Sequence, residues 1–464
     1  MKARAPALRA WAAAAALVAL TAATLATGTR DHHPAAVFWL VAACWLAFLV
    51  AAAAVARLPE RPALRLVVGV GVALQLVALR WLPRTSSDAY RYAWDGRVGN
   101  HGIDPYAYPP DAAQLASLRP PWLFPPGQPP LINRPAVTTI YPPVAQLWFR
   151  LVNALSPDRW GIRPYQVAAA VVAVLGTLLL VQVLRSAGAD PRGAALWAWC
   201  PLVVFESGNN AHVDGLGAVL TVAAVALLVR SRTRSRLGGA VLGLAIGVKL
   251  LPGLVLPAVL RRKPWQVLGS AALVLAVTYA PHVLGVGRSV VGYLPGYLGE
   301  EGYDSGDRFA LLRVVMPQSW APAAAVAIGL VTAYLVYRRS DPADPSSVWV
   351  GATTMVGVAL LVSTPTYPWY ALLLVGLAVP ARRPEWLAVA AAGYVPYLGG
   401  WTGWSGGLLP QVGYGLALGY LVVIRYGHRS RLHGSAGTKT ASTVRRSQLR
   451  HLASPSASSC QDQR

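Results

Sequence analysis

The chain of 464 residues is 55% hydrophobic and only 13% charged, yet its 41 Lys and Arg against 18 Asp and Glu leave a formal net charge of +23. A soluble domain carries about 25% charged residues, so a globular core cannot hide this much apolar surface. Long apolar runs make a membrane the natural setting, and they weigh against a nucleic-acid module or a disordered chain. The three cysteines, Cys44, Cys200 and Cys460, offer no disulfide framework.

A bilayer core of about 30 Å takes roughly 20 apolar residues per helix. In chain order, spans are predicted near 9–28, 36–56, 63–82, 164–185, 193–207, 213–230, 265–283, 320–338, 346–363, 368–381, 386–400 and 410–426. The first follows Lys2, Arg4 and Arg9 as a signal peptide would, but its length and the spans that follow make it an anchor. Arginines set the orientation: Arg57, Arg61 and Arg65, then Arg185 and Arg192, Arg230 to Arg236, Arg261 and Arg262, Arg338 and Arg339, and Arg382 and Arg383 fall on one side. The positive-inside rule makes that side the cytoplasm and puts both termini there. The apolar stretch 237–260 has arginines at both ends and so must return to its starting side. It is predicted to be a re-entrant hairpin of two short helices with its tip near Lys249, for about fourteen helical passes in all.

Two long segments then lie outside, 83–163 and 284–319, and the tail from 427 is Ser-, Thr- and Arg-rich and predicted to be disordered. Twelve of the 18 acidic residues fall outside or at the outer boundary. Carboxylates near bilayer depth are costly and point to function. Asp88, Arg91 and Asp95 share one face if TSSDAYRYAWDGRVGN is helical, with Tyr92, Trp94 and Arg97 beside them. An interfacial helix with an internal Asp–Arg pair explains that spacing equally well. In ESGNNAHVDG, Asn210, His212 and Asp214 break two apolar spans, and either phosphate binding, proton relay or helix capping accounts for them. Lys249, the only Lys in a predicted membrane segment, suits a phosphate contact or snorkelling to the interface. Tyr90, Tyr92 and Trp94 suit an interface, where aromatic rings can stack on a sugar face, and Tyr367-Pro368-Trp369-Tyr370 at another outer turn is expected to wall the same cavity. No DxD or HxxxH pattern offers a metal site, so neither cofactor nor metal is expected, with a divalent cation left open.

The stretches DAYRYAWDGRV (88–98), GIDPYAYPP (102–110), IYPPVAQL (140–147), NAHVDGLGAVL (210–220) and GVKLLPGLVLP (247–257) resemble actinobacterial polyprenyl-phosphate-mannose-dependent mannosyltransferases. These belong to the GT-C class, which includes the alpha-1,6-mannosyltransferases of lipomannan assembly and relatives of glycosyltransferase family 87. The resemblance runs in order over most of 65–400. It implies an all-α polytopic membrane protein with a GT-C-like domain over 63–426, preceded by helices over 1–62 and followed by the 427–464 tail. It also implies an inverting transfer of sugar from a polyprenyl-phosphate donor to an envelope glycolipid or glycan at the outer face of the plasma membrane. An Asp of the first outer loop would be the general base, Asp88 first and Asp95 second. Arg91, Tyr92, Trp94, Arg97, Tyr106, Tyr141, Asn210, His212, Asp214, Lys249, Tyr367 and Trp369 would bind substrate. Relatives often carry Asn-Pro-Tyr where this chain has Asp104-Pro105-Tyr106, and three spans precede the long loop rather than one. An arabinofuranosyl or other sugar transferase is the nearest alternative, and a lipid-linked-glycan transporter the alternative from another class.

Overall fold

The computed structural model describes residues 4–28, 33–261, 263–404 and 407–425, and the tail from 427 lies outside them. The described residues contain helices and turns and no strand. In chain order the helices are α1 (Arg4–Thr27), α2 (Pro34–Val55), α3 (Glu60–Ala78), α4 (Asp88–Asn100), α5 (Pro143–Ala154), α6 (Arg163–Ser186), α7 (Ala195–Ala198), α8 (Asp214–Arg230), α9 (Ser235–Val248), α10 (Leu256–Val259), α11 (Pro264–Val286), α12 (Leu294–Glu300), α13 (Ala321–Arg339), α14 (Pro345–Ser363), α15 (Leu372–Ala381), α16 (Leu387–Ala392) and α17 (Tyr394–Gly399). A further apolar helix covers Leu409–Arg425. Residues up to Ala417 form one compact unit; of the second unit, which begins at Leu418, the described part is helical.

Among the described residues seven helices are long and apolar enough to cross a membrane, or eight if the bent pair Val203–Asn209 and Asp214–Arg230 is one span. The chain is an all-α polytopic membrane protein. Three shorter apolar helices, Ser235–Val248, Pro368–Ala381 and Leu409–Arg425, accompany them. Of the fourteen helical passes expected, two of them short hairpin arms, several are built from shorter pieces. The spans expected at 193–207 and 386–400 are chains of short pieces, interrupted near Pro201 and Pro396. Each proline removes a backbone donor and crowds the preceding turn.

The stretch 237–260 does return to its start. Gly238 in α9 meets Leu228 at the end of α8, and Val259 and Arg261 line a crevice with the same Leu228. Between them the helix breaks at Lys249, whose extended backbone (φ −158°) separates α9 from a short 3-10 turn. Lys249 there touches Asp214 at the opposite end of α8, so the hairpin is about one α8 length deep, roughly 25 Å at 1.5 Å per residue.

Two sets of contacts mark the ends of the bundle. At one, Arg163 donates to the carbonyls of Leu79 and Trp81, and Asn209 Nδ2 donates to Ala78, Trp81 and Leu82. At the other, Arg185 pairs with Glu60 and Arg192 donates to the Leu58 carbonyl. The long segment 83–163 folds onto the former end through α4 and α5. Tyr92 stacks on Phe149, their centroids 4.4 Å apart, and Tyr165 donates to the Phe149 carbonyl. A Cβ at Gly96 would lie 2.3 Å from the Phe149 carbonyl oxygen and 2.8 Å from the Tyr165 hydroxyl. Gly96→Ala would gain up to about 1 kcal/mol of helix propensity, but overpacking of a tight contact costs about 1–3 kcal/mol, and here the tyrosine hydrogen bond is lost as well. A lower thermal midpoint for Gly96→Ala than for wild type, read by tryptophan fluorescence, is the expected result; an unchanged midpoint would mean that α4 and α5 can separate at no cost.

Candidate active site

Asp88 is the first residue of α4, where the helix dipole favours a negative charge. Its carboxylate accepts hydrogen bonds from Asn133 Nδ2 at 2.5 Å and from the Tyr141 hydroxyl at 3.3 Å. Burial pushes its carboxyl above the usual aspartate range, against the pull of Lys249, the bonds from Asn133 and Tyr141, and Arg134. The side chain faces a cavity of about 420 Å³ closed in by the segment 83–163, the Lys249 break, α12 and the Tyr367–Tyr370 turn. That volume lies within the range of about 300–1,000 Å³ typical of small-molecule sites.

Four cations line the cavity: Arg91, Arg134, Lys249 and Arg308. Each is held from behind by a carboxylate that does not line it. Arg91 pairs with Asp95 (2.9 Å), Lys249 with Asp214 (2.8 Å), Arg134 with Glu300 (2.5 Å) and Arg308 with Glu301. Asp88 is the only carboxylate among the described lining residues, and none of those four partners competes for it. Arg91 also donates to the Val137 carbonyl, and Lys249 sits 4.8 Å from the centroid of Tyr370.

Aromatic rings stand among the cations, with Lys249 and Arg308 over Tyr370 and Arg134 over Tyr297. Tyr367 stacks on Trp369 at 4.7 Å, and Trp369 stacks on His212 at 3.8 Å. Tyr297 and Tyr370 share a hydroxyl–hydroxyl contact, and Tyr397 donates to the Thr85 carbonyl. One side is apolar, with Leu250, Leu251, Leu294, Leu298 and Leu360, and of these Leu250 is 53% and Leu298 40% exposed. The cavity thus opens toward the apolar surface.

His212 sits just behind Asp88. Its imidazole is fully buried, with Nδ1 3.6 Å from Asp88 and Nε2 3.6 Å from Glu206, and neither nitrogen makes a hydrogen bond. Glu206 in turn accepts from Asn210 and Tyr394. This cluster comes from a π-helical stretch, Val203–Asn209, and a reversal at Ala211, whose φ of 56° is left-handed. Such backbone is uncommon for a residue with a Cβ and gathers at functional sites. Nothing in the residue pattern of ESGNNAHVDG announces a π turn.

The residues singled out from sequence divide into three groups. Asp88, Arg91, Tyr141, Lys249, Tyr367 and Trp369 line the cavity. His212, Asp214 and Tyr92 lie one layer behind it: Asp214 holds Lys249 rather than His212, and Tyr92 packs edge-on to Tyr141. The remainder brace the loop. Asp95 is buried against Arg91 and Gln146, and Trp94 packs with Val98, Leu115 and Leu123. Arg97 clamps Asp158 and the Leu118 carbonyl, and Tyr106 donates to the Tyr141 carbonyl. Asn210 binds the Arg84 and Thr85 backbone, fixing the chain just before Asp88. Asp104, which stands where relatives often have Asn, accepts from the Tyr106 amide with one oxygen and contacts His282 Nδ1 with the other, at 2.8 Å. Sequence reading missed Asn133, Arg134, Tyr297 and Arg308. Arg134 and Asn133 lie in a proline-rich loop without periodicity, and Arg308 lies in the second long segment, 284–319, where no motif marks it. Among the described residues no group of three or more His, Cys, Asp or Glu side chains is placed to hold a metal ion.

The cavity thus combines paired cations, aromatic rings, an apolar side and one carboxylate without a cationic partner of its own. Residues 139–365 match the model of glycosyltransferase family 87. The match indicates a membrane glycosyltransferase, with a sugar donor and an acceptor as its substrates. It contains Tyr141, His212, Lys249 and Arg308, while Asp88 lies well before its start and the Tyr367–Tyr370 turn just after its end. No curated protein and no solved structure matches the chain.

Proposed function

We propose that this glycosyltransferase moves a sugar, mannose being the expected one, from a polyprenyl-phosphate donor to an envelope glycolipid or glycan, with inversion and with Asp88 as general base. The observation that carries the reading is the charge pattern of the cavity: one carboxylate without a cationic partner of its own among four cations that each have one. A base must be free to accept a proton, and a phosphate clamp must stay positive without collapsing onto that base.

In this reading the polyprenyl tail enters past Leu250 and Leu298 and stays in lipid. Its phosphate meets Lys249, with Arg91, Arg134 or Arg308, and the sugar lies against Tyr367 and Trp369. The acceptor hydroxyl gives its proton to Asp88 as its oxygen attacks the anomeric carbon from the face opposite the phosphate. The bond from that carbon to the phosphate oxygen breaks, and the cations hold the charge that develops there. A lipid-phosphate leaving group needs little acid assistance, so a base and a cationic clamp suffice. His212, buried between two carboxylates without a hydrogen bond to either, backs the Asp88 side chain. The arginines gathered at the far end of the bundle favour a cytoplasmic location for that end, which turns the cavity outward.

Two tests follow. Membranes containing the protein, given radiolabelled polyprenyl-phosphate mannose, should pass label to an endogenous glycolipid or glycan. Label from polyprenyl-phosphate arabinose in its place would change the sugar assignment, and no transfer from either would overturn the donor class. A base must be ionised to work, so turnover should rise with pH through the Asp88 titration. Because burial raises that carboxyl, the acid limb should be centred above the ordinary value of 3.8. A kcat profile flat from pH 4 to pH 7 would contradict it.

A further inference from the structure

The end of the bundle remote from Asp88 carries a second large cavity, of about 560 Å³, between the start of α1 and the α2–α3 turn. Helix α6 measures the separation. Arg163 at its start touches the carbonyls next to the outer loop, and Arg185 at its end touches Glu60 beside this second cavity. Their separation in the helix, 22 rises of about 1.5 Å, spans about 33 Å, a full bilayer core.

The lining is amphipathic. Trp11, Pro59, Pro62 and the buried Leu58 and Leu66 form an apolar body, and Arg57 and Arg65 stand at its edge. Leu8 and Trp11 next to it are 72% and 60% exposed, so an apolar track leads from the cavity along the outside of α1. The charge pattern here is the reverse of the outer cavity. The two nearby acids are already used, Glu60 by Arg185 and Asp190 by Arg192. Arg57, Arg61 and Arg65 have no carboxylate partner among the described residues, whereas every arginine lining the outer cavity has one.

From this we infer that the α1–α3 cavity binds an anionic phospholipid, its phosphate between Arg57 and Arg65 and an acyl chain along Trp11 and Leu8. A soluble anion would leave the apolar body and the track unfilled, and a zwitterionic headgroup would bring a cation to a site that already holds two. Arginines at a membrane surface attract anionic lipid by about 1 kcal/mol each, or about fivefold in affinity, so removing both should cost about 25-fold.

The test uses the full chain in nanodiscs of phosphatidylcholine with one part in five phosphatidylglycerol, followed by detergent extraction and native mass spectrometry of retained lipid. Wild type should keep a phosphatidylglycerol in preference to the more abundant phosphatidylcholine. Arg57→Gln/Arg65→Gln should lose that preference, while Arg339→Gln, on the same face but outside the cavity, should keep it. All three arginines are exposed, so folding is not at stake, and equal thermal midpoints would confirm that. Equal retention of the two lipids by wild type, undiminished retention by the double variant, or displacement of the lipid by millimolar inorganic phosphate would each overturn the proposal.

Discussion

Asp88→Asn is expected to lower sugar transfer by about 10²–10⁴-fold, the usual contribution of a positioned general base, with little change in folding or donor binding. The substitution is isosteric, and the amide oxygen can still accept from Asn133 or Tyr141, whose bonds now go to the carboxylate. It removes only the capacity to take a proton. The decisive comparison is with Asp95→Asn. Asp95 is 2% exposed and bound to Arg91, which is 6% exposed, so its loss strands a buried guanidinium. Removing one partner of a buried ion pair costs about 3–5 kcal/mol. Asp95→Asn should therefore appear as a lower thermal midpoint and poor expression. Purified Asp88→Asn protein with near-wild-type turnover would remove the base assignment, and a fall in its thermal midpoint to match Asp95→Asn would make Asp88 a structural residue.

The second large effect is expected at Lys249. In Lys249→Ala the nearly buried Asp214 carboxylate loses its ammonium partner, and the cavity loses a cation at the same time. Stability and donor binding should both fall, which alone cannot separate a brace from a phosphate ligand. Lys249→Ala/Asp214→Asn separates them, since it removes both charges and leaves no uncompensated ion. Its thermal midpoint should recover toward wild type. Its KM for the polyprenyl-phosphate sugar should stay about 10–100-fold raised, as expected for loss of one charge-assisted hydrogen bond worth about 1.5–3 kcal/mol. Wild-type donor affinity in the double variant would confine Lys249 to holding Asp214.

The contrast between these two sites explains how much was legible beforehand. Asp88 and Asp95 are equivalent in the sequence: both are aspartates on one face of an aromatic-rich helix at the membrane edge. Only the path of the loop 101–142 tells them apart, by laying Asn133 and Tyr141 against the first while Gln146 and Arg91 enclose the second. Lys249 stood out as the lone Lys of an apolar segment, but its partner Asp214 had been grouped with His212, its close neighbour in sequence. In space the Lys249 break reaches Asp214 first, because a hairpin one α8 length deep ends beside the first residue of α8. Ala211 was less visible still, since a π turn has no periodic signature.

By itself the sequence determined the solvent of this protein and the traffic of its chain. Apolar run length set the long helices, arginine clusters at both ends of 237–260 required it to turn back, and the resemblance and family match named a glycosyltransferase. These are matters of desolvation and local charge, which each segment carries alone. The tertiary structure decided which carboxylate stands free. That choice depends on pairings between residues as distant as Arg134 and Glu300, or Lys249 and Asp214, and a carboxylate is free only once every nearby cation has been given to another.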